Sequence, residues 1–174
     1  MATLLTPTTE LEAVNVCLAN IGESPVSAIT GDITVDAAIA RDLLRQVTRE
    51  VQTTGFYWNT EIDYYLIPNT TGNLVLPANI ISVDTVGKDK SKDLVARGRL
   101  LYDRVKHTYT FTDKVLVNLV VALGFEELPQ ICRHYIAIRS ARVYQERVMG
   151  SGSVSNFNLA DEQQARAGLL AENM

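Results

Sequence analysis

The side chains able to do chemistry in this 174-residue chain are few and scattered. Acid–base or nucleophilic work needs titratable groups placed to act together. The two histidines are His107, in RVKHTYTF, and His134, in CRHY. Neither belongs to an HExxH pair, and no Cys/His set has the spacing of a zinc site. Cys17 and Cys132 stand far apart, each among apolar residues, as small core residues of a cytosolic protein do. There is no GxSxG elbow and no GxxxxGK[ST] loop. Gly150-Ser151-Gly152 is not placed between a strand and a helix, and reads as linker. Carboxylates double up at Glu126-Glu127 and Asp161-Glu162, and both pairs fall where negative charge favours a helix start. The sequence therefore predicts no catalytic residue, no metal site, no cofactor and no enzymatic activity.

Binding is left. Arg41, Arg45 and Arg49 recur every four residues and make one basic stripe on a helix. Such a stripe is either a solvated face or a contact for an acidic partner. It has no interleaved aromatics of the kind that single-stranded nucleic acid stacks on. Arg139 and Arg142 fall inside the apolar arc of another helix, where a guanidinium needs a carboxylate or carbonyl partner, internal or from a neighbouring copy. These five arginines are the candidate partner contacts. The net charge of -4 argues against a general nucleic-acid binder. No apolar run approaches the roughly 18 residues that span a membrane. The opening MATLLTPTTE lacks a basic segment before a long apolar run, so no secretory signal is expected.

The elements that must position these residues follow from periodicity. Thr9 and Glu12 form a capping-box pattern, and Leu11, Val14, Leu18 and Ile21 give the apolar stripe of a first helix that ends at Gly22. A second helix is expected from Thr34 to Thr54, with Gly55 as its cap, packed against the first. From Phe56 the period shifts toward two. Strands are expected at 74–77, 80–86, 93–98, 99–103, 108–111 and 115–123, after the alternating run that starts at Ile62. The segments 87–93 and 112–114 read as hairpin tips. The run VLVNLVVAL (115–123) is apolar on both faces apart from Asn118, so it should be central. A third helix runs from Pro129 to about Gly150, apolar nearly all round and therefore buried. GSGSVSNFN (150–158) has the composition of a hinge. A short polar helix capped by Asn158 follows, and it must dock to persist. The expected fold is α+β: three to four helices beside an antiparallel sheet or small sandwich. Its parts are a helical hairpin (1–55), a β domain (56–124), a long helix completing the bundle (125–150), and a hinge with a docking helix (151–174).

Several segments, in order, resemble tail tubular protein A of short-tailed bacteriophages. LEAVNVCLANIGESPV (11–26) carries that family's pattern at Ala13, Val14, Asn15, Ile21, Gly22, Glu23, Pro25 and Val26. GDITVDAAIARDLL (31–44) is similar to its Gly-Asp, spacer, Asp-Ala-Ala opening of the long helix, with Asp36 at the acidic position. GFYWN (55–59), with Gly55 and Trp58, looks like its step into the sheet. LYDR (101–104), with Tyr102, Asp103 and Arg104, and the helix 128–150 match its later part. The resemblance implies a structural virion protein without a cofactor, assembled in the host cytoplasm into the virion tail. It implies a twelve-subunit ring joining the portal protein to the tail nozzle, tail tubular protein B. That ring would help hold the tail fibres, and DNA would pass through its channel without sequence-specific binding. The reading from residues alone leaves an alternative: a small protein-binding module that uses the basic face of the second helix.

Overall fold

The computed structural model describes residues 5–150 and 159–173. The chain forms two compact units, Met1–Val51 with Gly124–Met174, and Gln52–Leu123. The first is helical; the second is a β unit set into its sequence. The segment 151–158, expected as a hinge, and Asn158 as a cap lie outside the described residues.

In the helical unit, α1 spans Glu10–Asn20. Thr9 and Glu12 close the expected capping box, each side chain serving an otherwise orphaned backbone N–H. The helix stops because Gly22 turns left-handed, at φ 81°. The Gly22 and Glu23 amides then donate back to Ala19 and Leu18, a Schellman closure. α2 spans Val35–Gln52, two residues shorter at its end than expected. Its start is capped by Thr34, whose hydroxyl accepts from the Ala37 amide at 3.3 Å. Ala37, Ala40, Leu44 and Val47 make its buried face. α3 spans Gln130–Met149, and α4 spans Leu159–Glu172.

Helix pairing departs from the sequence expectation. α1 packs chiefly on α3, and its contact with α2 is slighter, through the Arg45–Glu10 ion pair. Asn20, the last residue of α1, donates to the Ala141 carbonyl and to Gln145, both at 2.9 Å. α3 also carries α4, and its Tyr144 hydroxyl donates to the Asp36 carbonyl at the start of α2. A helix in that position must be apolar on several sides, as the sequence of α3 is.

The β unit contains five strands among the described residues: β1 (Thr60–Leu66), β2 (Ile80–Thr85), β3 (Leu94–Arg97), β4 (Leu100–Asp103) and β5 (Val115–Val121). They form a three-stranded antiparallel sheet in the order β1-β5-β2 and a two-stranded ribbon, β3-β4. β5 is central, as its two apolar faces require. Val115, Val117, Leu119 and Val121 share a core with Leu66, Leu74, Leu76 and Leu101.

Four expectations fail here. Residues 74–77 and 108–111 make only isolated bridges, Val75 to Leu100, Asn73 to Thr110 and Asp103 to Thr108. Pro77 has no N–H to extend the first of these into a ladder. The segment 87–93 is not a hairpin tip but a 3-10 turn (Gly87–Asp89) and loop that leave one sheet for the other. Residues 112–114 simply lead into β5, whose two edges are taken by strands that precede it in sequence.

Side-chain amides splice the backbone where regular pairing lapses. Gln52, fully buried, donates to the Leu123 carbonyl at 3.0 Å and accepts from the Leu123 amide at 2.7 Å. Asn59 donates to the carbonyls of Gln52 and Val121 and accepts from the Phe56 amide. In β1 a bulge between Glu61 and Tyr64 puts Asp63 at φ 54°, and the freed Asp63 amide donates to Asn118 at 3.0 Å. Replacing Gln52 by Leu strands both Leu123 groups. The expected cost is about 1–3 kcal/mol, read as a lower midpoint in urea unfolding, whereas Gln46→Leu on the exposed face of α2 should change it little.

Candidate interaction surfaces

The groups with latent chemistry lie apart. His107 is exposed in the turn after β4, and His134 is exposed on α3. Cys17 and Cys132 are fully buried, and burial pushes both thiols up to about 12, far from the reactive range. Among the described residues no group of histidine, cysteine and carboxylate side chains is placed to hold a metal ion. Glu126 accepts from the Glu10 amide and pairs with Arg133, while Glu127 accepts from the Gly124 amide at 2.7 Å.

Two arginines of the α2 stripe are paired within the chain. Arg41 pairs with Asp42 at 2.8 Å and donates to the Ile29 carbonyl. Arg45 pairs with Glu10 of α1 at 2.7 Å. Arg49 is exposed. The stripe is therefore not a continuous basic face.

Arg139 and Arg142 converge on one carboxylate. The buried Glu162 of α4 accepts from Arg139 at 2.7 Å and from Arg142 at 2.5 Å. Arg139 also reaches Glu50 of α2, and Arg142 pairs with Glu146. The buried-arginine argument holds, and the partner is internal. α4 buries little else, only Leu169 fully, and leaves a cavity of about 380 Å³ against α3 between Ile131, Ile138 and Ala165. The clamp supplies what apolar area does not. Arg139 and Arg142 are half-buried; Arg133, which the sequence reading does not single out, is buried. It donates to the carbonyls of Leu128, Thr8 and Glu126, and so ties the chain ahead of α1 to the start of α3. Its signal was the same one that marked Arg139: a charge between Cys132 and Ile136 in an apolar arc.

The largest exposed apolar side chains of the β unit gather on β1 and its ends. Ile62 and Ile67 are 70% and 71% exposed, and Tyr57, Tyr64 and Tyr65 are exposed beside them in sequence. β1 is a sheet edge, and strand alternation puts Tyr65 and Ile67 on the face opposite the buried Leu66, with Tyr64 on the same face as Leu66. Clustered exposure of this kind marks contact surfaces on folded proteins.

Comparison with known proteins decides the family. The tail tubular protein family model matches residues 11–174. The chain belongs to the tail tubular protein family. It is 32% identical over 149 residues to tail tubular protein A of Klebsiella phage KP34, an alignment that covers 85% of this chain and 78% of the relative. It is thus a structural protein of a phage tail and not an enzyme.

The positions that carry the family resemblance have structural work. Ala13 and Val14 are buried in the core of the helical unit, and Ile21 and Gly22 close α1. Asn15 exchanges two hydrogen bonds with the Val26 backbone, at 3.0 and 2.8 Å, and so holds the Glu23–Pro25 loop against its own helix. Trp58 stacks on Phe56 with ring centres 5.0 Å apart. In the Tyr-Asp-Arg triplet, Asp103 accepts from the amides of Val105 and Lys106, Arg104 pairs with Asp93, and Tyr102 lies beneath Arg97.

The clamp fixes a pH response. Burial pushes the Glu162 carboxyl up, but hydrogen bonds from Arg142 and Arg139 outweigh it and hold the group below its ordinary value of 4.5. A carboxyl lowered in the folded state stabilises above its unfolded value and loses that contribution as pH falls through the folded one. The protection of α4 amides, taken as exchange relative to the intrinsic rate at each pH, should therefore be high at neutral pH and fall on acidification below about 4.5. Glu162→Gln should raise exchange of α4 at neutral pH roughly tenfold or more, since charge-assisted hydrogen bonds contribute about 1.5–3 kcal/mol, and should abolish the acid response. Unchanged exchange in that variant would refute the clamp.

Proposed function

We propose that this chain is a subunit of the adaptor ring that joins the phage portal to the tail nozzle and surrounds the DNA ejection channel. The ring has twelve subunits, and its partners are the portal protein, the nozzle protein and the tail fibre. The protein acts through surfaces that mate, in the virion tail, after assembly in the host cytoplasm.

One observation supports this reading beyond family membership: the exposed apolar and aromatic side chains on and beside β1. A closed ring needs heterologous contacts, one face of a subunit against a different face of the next. The β1 edge supplies exposed apolar side chains with tyrosines among them, and aromatic residues are enriched in protein–protein contacts. The internal closure of Arg139, Arg142 and Arg45 leaves fewer charged side chains free for this role, which favours the apolar edge over the arginine stripe.

Electron microscopy of the purified chain mixed with the portal assembly of its own phage tests the proposal. A ring seated on the portal is the expected image. The double variant Ile62→Glu, Ile67→Glu should fold normally yet lose assembly on the portal by an order of magnitude or more in occupancy. A chain that stays monomeric with portal and never enters virions would sink the reading.

A further inference from the structure

α4 is held to α3 mainly by charge. Among its described residues only Glu162 and Leu169 are buried, whereas the shorter α1 buries Ala13, Val14, Cys17, Leu18 and Asn20. Leu159 and Leu170 face solvent. The contact with α3 is not close-packed, since the cavity of about 380 Å³ lies within it. A helix of 14 residues has little stability of its own, so its docking contacts decide whether it persists. Both arginines of the clamp have a second carboxylate that does not belong to α4. Arg139 reaches Glu50 of α2 at 3.7 Å, and Arg142 pairs with Glu146 one turn further along α3. Withdrawal of Glu162 therefore strands neither guanidinium, and the penalty of a buried charge left without its partner does not arise. Glu162 itself passes into water.

We infer that α4 is a releasable latch, which opens as a unit while the rest of the helical unit stays folded, by handing Arg139 and Arg142 from Glu162 to Glu50 and Glu146. Openings short of global unfolding are drawn from elements with the fewest buried contacts. In the closed state the latch covers the start of α3. Gly168 packs so closely there that a Cβ would sit 3.4 Å from the Ile131 Cδ1. Glu172, the last residue of α4, is near enough to Cys132 for its charge to act on the thiol. Opening uncovers Ile131 and Cys132, both of which the closed state shields. Cys17 lies elsewhere, fully buried on α1 and near Tyr144.

The two cysteines supply the test in the full-length protein. A small thiol reagent is applied at neutral pH under native conditions, and each site is followed by mass spectrometry after digestion. A thiol in the core is inert until it is uncovered. Cys132 then reads opening of the latch, and Cys17 reads unfolding of the helical unit. Cys132 should react roughly tenfold or more faster than Cys17, because a local opening is more frequent than a global one. Glu162→Gln should raise the ratio of the two rates by a further tenfold or so, through loss of charge-assisted hydrogen bonds. Glu10→Gln, which removes the ion pair between α1 and α2, should leave that ratio unchanged. A ratio near one in the parent, a ratio that Glu162→Gln does not move, or an equal rise in Glu10→Gln would each overturn the latch.

Discussion

The exchange of hydrogen bonds between the Gln52 side chain and the Leu123 backbone is the interaction on which the β unit depends. The chain enters that unit at Gln52 and leaves it at Leu123. At such a crossing neither segment has a ladder partner, and buried backbone groups cannot be left without one. A primary amide carries a donor and an acceptor at the separation a peptide group presents, so it substitutes for a missing strand. Asn59 extends the splice to Val121, and Asn15 does the same for the loop after α1. These amides account for much of the family pattern in physical terms: Asn15 and the asparagine of Gly-Phe-Tyr-Trp-Asn stand where the backbone would otherwise be unpaired.

Much of the local structure was legible in advance. The capping box at Thr9, the stop at Gly22 and the limits of α3 follow from short-range rules, and the structure places them as expected. The central position of β5 was legible because a strand apolar on both faces has nowhere else to go. What could not be read was partnership. The placement of α1 on α3 depends on Asn20 meeting Ala141 and Gln145, more than a hundred residues away. Strand order β1-β5-β2 depends on contacts of similar range, and so the hairpin assignments at 87–93 and 112–114 failed. Periodicity also overstated residues 74–77 and 108–111, whose leucines and Phe111 pack inward without a sustained ladder.

The candidate contacts were half legible for a related reason. Sequence marks a charge in an apolar arc as needing a partner, and Arg139 and Arg142 have one; it does not say that the partner is Glu162 of the same chain. The stripe of Arg41, Arg45 and Arg49 is legible as spacing, but its pairing is not: Glu10 and Asp42 neutralise two of the three.

The extra residue in β1 has a bearing on how large an assembly can grow. A flat sheet margin invites one chain after another to add backbone to backbone, and such growth has no natural stopping point. The kink at Asp63, flanked by the carboxylate of Glu61, breaks that invitation while leaving Ile62 and Ile67 outward. Neighbours can engage the side chains there but cannot copy the hydrogen-bond pattern. An edge built in this way disfavours open-ended addition of strands.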